Sequence, residues 1–245
     1  MKQKERRHLK ENEIAHSITA ARDFLGTRRP STAYLVVAVI VAVAVLGFVI
    51  VRQQTNSRAH DLLAEAMVVV DALVQPPSPA MPPANGKPGT MATQQPGTYP
   101  TVEAKLKAAL PKLQVAADAY PNSQTGITAR YHLASTLAGV GRHTEALAAY
   151  DDLIARAGES MYGRMARLGK ANEQARMGEY QPAIATYKTL IDQKESVLPE
   201  DAILMQLATA YEASGNKDEA KKTFSRIVHE HPASPYSSAA GKQLQ

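Results

Sequence analysis

Seven histidines are the side chains of this 245-residue sequence that could hold a metal ion or transfer a proton near neutral pH. His229 and His231 are two residues apart, so on a helix they point to different faces and cannot form a two-ligand site. His132 and His143 fall on separate predicted helices, with no carboxylate at ligand spacing in the sequence. The histidines therefore predict no metal site.

The adjacent carboxylates have structural explanations. Glu200 and Asp201 follow Pro199, where acids suit the N-terminus of a helix. Asp151 and Asp152 are expected to lie on adjacent faces of a helix as a solvated pair. The chain has no cysteine, no Gly-x-Ser-x-Gly motif and no glycine-rich phosphate loop. We predict a protein that is not an enzyme, with no catalytic residue, no cofactor and no small-molecule substrate.

The basic charge is confined to one end of the chain. The net charge is +5, but residues 1–30 hold eight basic and four acidic side chains, against 20 and 19 in residues 52–245. The larger part of the chain therefore has no basic face with which to neutralise a row of phosphates. We predict no nucleic-acid partner.

Residues 31–52 predict a transmembrane helix. No charged residue lies between Arg29 and Arg52, and the 33–51 stretch is nearly all apolar. At ~1.5 Å per residue it spans the ~30 Å hydrocarbon core. A cleaved signal peptide is the alternative, but the preceding charged region is long and no small-x-small cleavage site follows. Ala38 and Ala42 are spaced so that a second helix could approach closely.

Basic residues predict the orientation of this helix. Eight precede it, whereas only Arg52 and Arg58 lie in the 25 residues after it. The N-terminus is therefore expected in the cytoplasm and residues 52–245 in the periplasm of a bacterium, anchored in the inner membrane by a single span. Within the 1–30 tail, one helical face carries apolar residues, which predicts a short amphipathic helix on the membrane surface or, alternatively, a docking helix for a membrane partner: Ile14, Ile18, Ala21 and Leu25.

Residues 76–101 predict a disordered insertion, because eight of the 15 prolines of the chain lie in this segment. Its Pro-x-x-Pro pairs are similar to polyproline ligand motifs, but a semi-rigid spacer is the favoured interpretation. A first repeat helix is predicted at 53–75 before the insertion.

The segment 102–245 contains a pattern that recurs every 37 residues. Its recurring residue types are a small residue, a glycine, an alanine, an aromatic and an aliphatic residue: Ala134, Ala171, Ala208; Gly141, Gly178, Gly215; Ala146, Ala183, Ala220; Tyr150, Tyr187, Phe224; Leu153, Leu190, Ile227. This pattern predicts pairs of antiparallel helices joined at the glycine, with the alanines at the helix crossing. Stacked pairs of this kind form an all-α solenoid.

The spacing resembles the tetratricopeptide repeat (TPR), with Pro232 closing the last unit. The resemblance implies units at about 127–160, 164–197 and 201–234, and a first, split unit that pairs the 53–75 helix with a helix beginning at 102. Ser234 and Pro235 predict the start of a C-terminal capping helix.

The layout of tail, single span and repeats resembles the ancillary subunit of the SecYEG translocon and the repeat domain of cell-division coordinators. The motifs that carry this likeness are 120–123 (Tyr-Pro-Asn-Ser) and 231–236 (His-Pro-Ala-Ser-Pro-Tyr). The resemblance implies a non-catalytic, chaperone-like adaptor that binds translocon subunits, translocating secreted polypeptides or periplasmic chaperones. The alternative is an envelope scaffold that coordinates division or wall-synthesis proteins.

The resemblance also implies a binding face, which is the concave surface lined by the first helix of each unit. Seven positions are expected on this face: Tyr131, Ser135, Leu168, Asn172, Met205, Thr209 and Glu212. Of the carboxylate-clamp set that some TPR proteins use, only Asn172 and Arg176 fit. The face is mildly apolar with small polar groups, which favours loose capture of extended segments.

Overall fold

The computed structural model describes residues 30–78, 93–193 and 198–245. Its helices run in the following order: α1 (Pro30–Val70), α2 (Val102–Ala119), α3 (Gln124–Gly139), α4 (His143–Ala157), α5 (Met161–Arg176), α6 (Tyr180–Asp192), α7 (Glu200–Ala213), α8 (Lys217–Glu230) and α9 (Ser237–Lys242). Two short strands, β1 (Leu73–Val74) and β2 (Thr98–Tyr99), lie between α1 and α2. The described part is an all-α fold apart from these strands.

The chain divides into two compact units, Met1–Thr55 and Asn56–Gln245. In the first unit, the described side chains from Val37 onward are almost all exposed and mostly apolar. By length and composition, the Val37–Val70 part of α1 is suited to cross a membrane. The predicted amphipathic helix with Ile14, Ile18 and Leu25 lies outside the described residues.

The predicted span at 31–52 and the predicted first repeat helix at 53–75 are parts of one helix, because α1 is continuous from Pro30 to Val70, and the division between the two units falls after Thr55. Residues 48–70 contain no glycine or proline that would end a helix. The helix also ends five residues earlier than predicted, because Leu73 and Val74 pair in parallel with Thr98 and Tyr99.

Both ends of the predicted disordered insertion have regular structure. The Gln75 N–H donates to the Tyr99 carbonyl at 2.9 Å, and Ser78 forms an antiparallel bridge with Thr93. The turn before β2 uses Gly97 at φ +75°, a left-handed conformation that glycine adopts without strain. The expectation for the remaining insertion residues, 79–92, lies outside the described part of the chain.

From α3 to α8 the helices alternate as the 37-residue pattern predicts. The turn glycines Gly141, Gly178 and Gly215 have φ values of +78°, +82° and +83°, which confirms their predicted left-handed role. The periodic alanines, aromatics and aliphatics are all buried in three successive core clusters. Ala66 and Val69 near the end of α1 belong to the first cluster, together with residues of α2 to α5.

Two helices of the solenoid begin with a serine and a glycine three residues later, a feature that the sequence analysis did not identify. Ser123 caps α3 by accepting a hydrogen bond from the Gly126 N–H at 3.0 Å, and Ser160 caps α5 in the same way through Gly163. A Cβ at 163 would lie 2.9 Å from the carbonyl carbon of Gly158, so only glycine fits there.

The capping helix begins later than predicted, because α9 starts at Ser237 instead of following Ser234. Ser234 does not cap it, since its hydroxyl donates to the Asp201 carboxylate at 2.7 Å and accepts from the Tyr236 N–H. The segment between α8 and α9 is therefore fastened to the start of α7.

Candidate partner-binding groove

A groove of about 370 Å³ lies between α5, the start of α6 and α7. Its sides carry polar groups and its remaining lining is alanine; the lining residues are Asn172, Ala175, Arg176, Tyr180, Gln206, Thr209, Ala210 and Ala213. Two predicted binding residues, Asn172 and Thr209, are among them. The groove therefore combines small apolar side chains with side chains that can donate hydrogen bonds.

The Asn172 amide has a fixed orientation in this groove. The fully buried Tyr187 donates its hydroxyl to the Asn172 Oδ1 at 2.8 Å. This bond leaves the two hydrogens of the NH₂ group and the second lone pair of Oδ1 to bind a partner. Burial also raises the pKa of the Tyr187 phenol, so the hydroxyl stays a donor throughout the physiological pH range.

One repeat before the groove residue Ala210, at position 173, the solenoid contains a buried glutamate. Glu173 is only 2% exposed, and its Oε1 atom shares a hydrogen bond with Nδ1 of the half-buried His143. Arg176 lies 3.8 Å from the other carboxylate oxygen. No carboxylate lies at ligand spacing from His143 in the sequence, but the fold brings Glu173 of α5 to the start of α4.

The other predicted binding residues do not line this groove. Tyr131 is partly buried against the first core cluster, and its ring centroid lies 5.9 Å from that of Tyr162 on α5. The Ser135 hydroxyl donates to the His132 carbonyl within its own helix. Leu168 and Met205 pack against the second and third core clusters, and Glu212 is exposed.

Asp151 is exposed as predicted, but Asp152 is only partly exposed and has a buried partner. Arg130, whose side chain is 10% exposed, contacts the Asp152 carboxylate at 2.5 Å and the Ala117 carbonyl at 3.1 Å. Lys170 contacts Asp151 at 2.5 Å. Asp152 therefore connects α4 to α3, since a buried guanidinium needs such a partner, and the exposed Asp151 connects α4 to α5.

A second kind of groove lies on the side of the solenoid that α4, α6 and α8 help to form. One such groove, of about 430 Å³, is lined by residues of α4, α5 and α6, including Asp151, Lys170 and Thr189. Another, of about 280 Å³, has lining residues one repeat later along the chain, including Lys188, Leu207 and Arg226. In both grooves the charged lining residues include members of ion pairs, as between Lys170 and Asp151.

The predicted contact residues of the apolar helix, Ala38 and Ala42, are exposed in α1. Large apolar side chains surround them and are exposed as well, including Val41 and Leu46. Such exposure is typical of a helix whose natural surroundings are apolar.

Comparison with known proteins supports the repeat fold. Residues 141–242 match the family model for the tetratricopeptide repeat-like domain. The structure is similar to a crystal structure of nearly identical TPR-like repeats from a candidate kinesin light chain of Podosopora anserina, with 17% identity and a TM-score of 0.51 over 57% of this chain and 76% of that one. A single-substitution variant of that protein gives the same TM-score at 16% identity, with the same 57% and 76% coverage. No curated protein matches the sequence.

Proposed function

We propose that this protein is a membrane-anchored adaptor ancillary to the SecYEG translocon, which binds translocating polypeptides or periplasmic chaperones through its repeats. A TPR-like domain is a scaffold fold that binds proteins, and the chain contains one at 141–242. The observation that carries the proposal is the presence in one chain of this domain, with its groove at Asn172 and Thr209, and of an exposed apolar helix of membrane-spanning length.

The composition of the groove supports extended polypeptide segments as ligands. Donor groups of Asn172, Arg176 and Gln206 can reach backbone carbonyls, which every peptide presents whatever its sequence. The small alanine side chains of the groove leave room for ligand side chains of different sizes and do not form a deep specificity pocket. Such a surface suits transient capture of many sequences.

The orientation with the N-terminus in the cytoplasm and the repeats in the periplasm is part of the proposal. It is supported by eight basic residues before the apolar helix and two soon after it. In this orientation the groove is on the side where a secreted polypeptide emerges. The apolar helix, with Ala38 and Ala42 on its surface, is then the contact with translocon subunits in the membrane.

Site-specific photo-crosslinking in cells tests both contacts. One probe replaces Thr209 in the groove, and a second replaces Ala38 in the apolar helix. Thr189 is the matched control, because it is also an exposed threonine whose hydroxyl bonds to the carbonyl four residues earlier, but it lines the groove between α4, α5 and α6. Mass spectrometry identifies the crosslinked proteins.

The proposal expects channel subunits at position 38 and many secreted polypeptides at position 209, with few at position 189. One discrete envelope protein at 209 and no channel subunit at 38 would refute it and support the envelope scaffold. Exchange of the apolar helix for a foreign anchor separates the same alternatives, because an adaptor loses its translocon contact and a scaffold keeps its partner.

A further inference from the structure

Three side chains with metal-ligating atoms meet at the C-terminal end of the solenoid. Glu200 is the first residue of α7, Glu230 is the last residue of α8, and His231 follows it. One ligand atom from each lies within 4.8 Å of the other two. The sequence does not reveal this group, because Glu200 is about 30 residues away from His231 along the chain.

The His231 imidazole nitrogen is the feature that points to a ligand. Its Nε2 atom is buried and has no hydrogen-bond partner among the described residues. The nearest acid oxygen, Glu200 Oε2, is 3.9 Å away, which is too far for a hydrogen bond. A buried polar atom without a partner is costly, and a cation between this nitrogen and this oxygen would satisfy both.

Arg226 holds the two glutamates in place and leaves one oxygen for another ligand. Its Nη2 atom donates to Glu200 Oε1 at 3.1 Å and to Glu230 Oε2 at 3.0 Å. Glu200 Oε2 takes no part in these bonds and faces His231. The guanidinium therefore gathers the acids, and it also competes with any cation for their charge.

We propose that His231, Glu200 and Glu230 bind a transition-metal ion of the Zn²⁺ type. Zn²⁺ binds imidazole nitrogens and carboxylate oxygens with bonds of about 2.0–2.2 Å, and a site with three protein ligands keeps a fourth position for water. Tetrahedral geometry places such ligand atoms about 3.3–3.5 Å apart. Side-chain rotations that move these atoms by about an ångström therefore convert the present arrangement into a metal site. Magnesium, which prefers six oxygen ligands, fits this set poorly.

The ion would join the start of α7 to the end of α8 and to the turn that follows. Ser234 in this turn is already bonded to Asp201, the second residue of α7. The metal therefore adds a second connection between the start of α7 and the turn after α8, and it stabilises the C-terminal end of the solenoid. This inference does not depend on the identity of the protein partner.

Titration of the untagged full-length protein in detergent micelles with Zn²⁺ tests the proposal, with calorimetry for affinity and thermal unfolding for stability. The variant His231→Ala removes a ligand, and His229→Ala is its matched control because His229 is exposed and outside the group. Arg226→Gln removes the competing charge. Circular dichroism verifies that each variant is folded, and Glu200→Gln, which keeps the side-chain shape, replaces any variant that is not.

We expect one Zn²⁺ per chain that raises the unfolding temperature, at least about tenfold weaker affinity in His231→Ala, and unchanged affinity in His229→Ala. Arg226→Gln should bind Zn²⁺ more tightly than the natural sequence. Mg²⁺ at the same concentration should have no effect. Equal Zn²⁺ affinity in a folded His231→Ala, or no Zn²⁺ binding by the natural sequence, would show that these residues form only an ion-pair cluster.

Discussion

Replacement of Gly163 by alanine should destabilise the solenoid, although alanine is the better helix former. The new Cβ would lie 2.9 Å from the carbonyl carbon of Gly158 and closer still to its oxygen. Both are backbone atoms in the tight turn between α4 and α5, so they cannot move aside as a flexible side chain would. The start of α5 must shift, which also weakens the cap from Ser160 to the Gly163 N–H.

The magnitude follows from three terms. Overpacking costs ~1–3 kcal/mol, and the weakened cap costs ~1 kcal/mol. The greater helix propensity of alanine returns ~1 kcal/mol. The net loss in the free energy of unfolding is therefore about 2 kcal/mol, which corresponds to a decrease of roughly 4–8 °C in unfolding temperature for a unit of this size.

Gly241→Ala is the matched control, because this helical glycine has nothing within 4 Å of an added Cβ. It should leave stability unchanged or increase it by up to ~1 kcal/mol. Urea unfolding followed by circular dichroism at the helical band measures both variants in the same micelles. If Gly163→Ala stayed within ~0.5 kcal/mol of the natural sequence, the close packing of this turn would be refuted as a stability determinant.

Three further predictions use other buried groups. Burial lowers the pKa of His132, so the unfolded state binds a proton more readily than the folded state. The free energy of unfolding should therefore fall as the pH drops below ~6.5. His132→Gln should reduce this fall, which urea midpoints between pH 5 and 8 measure. Burial raises the pKa of Tyr150 to about 12, so ionisation in the unfolded state should cost stability as the pH rises above ~10. Tyr150→Phe should remove roughly 2–3 kcal/mol of that alkaline loss, and an unchanged alkaline midpoint would contradict the assignment. Glu173→Ala should lower the free energy of unfolding by ~1–3 kcal/mol, because it removes the buried partner of His143, whereas the exposed Glu212→Ala should change it by less than ~0.5 kcal/mol.

The repeat architecture could be predicted from the sequence because its signals are local. The glycines at 141, 178 and 215 and the periodic alanines report conformation and burial at their own positions. The end of α1 was predicted less well, since it depends on pairing between Leu73–Val74 and Thr98–Tyr99, which are 25 residues apart. No local sequence pattern predicts a parallel pair of two-residue strands.

The groove could be predicted only in part, for a related reason. The 37-residue spacing placed Asn172 and Thr209 at equivalent positions, and both line the groove. The spacing gives no information on how far each side chain is covered by its neighbours, so Tyr131 and Leu168 were chosen on the same basis and are partly buried against the core. The contact between His143 and Glu173 was missed because it joins residues 30 positions apart on different helices.

Departures from the repeat pattern show where the units differ in chemistry. Tyr187 carries a hydroxyl that is buried, and Asn172 supplies the acceptor for it. In the next unit Phe224 has no hydroxyl, and Thr209, the equivalent of Asn172, bonds to its own helix at Met205. In the middle unit, Asn172 therefore satisfies the buried hydroxyl of the tyrosine behind it.

Because the Asn172 Oδ1 accepts from Tyr187, we expect a partner to meet an amide in a fixed orientation, with its NH₂ group as the donor. In Tyr187→Phe the constraint disappears, so Asn172 can turn and present either group. We expect a fixed donor beside Arg176 and Gln206 to favour hydrogen-bond acceptors of a partner in the middle of the groove, and Tyr187→Phe to weaken that preference.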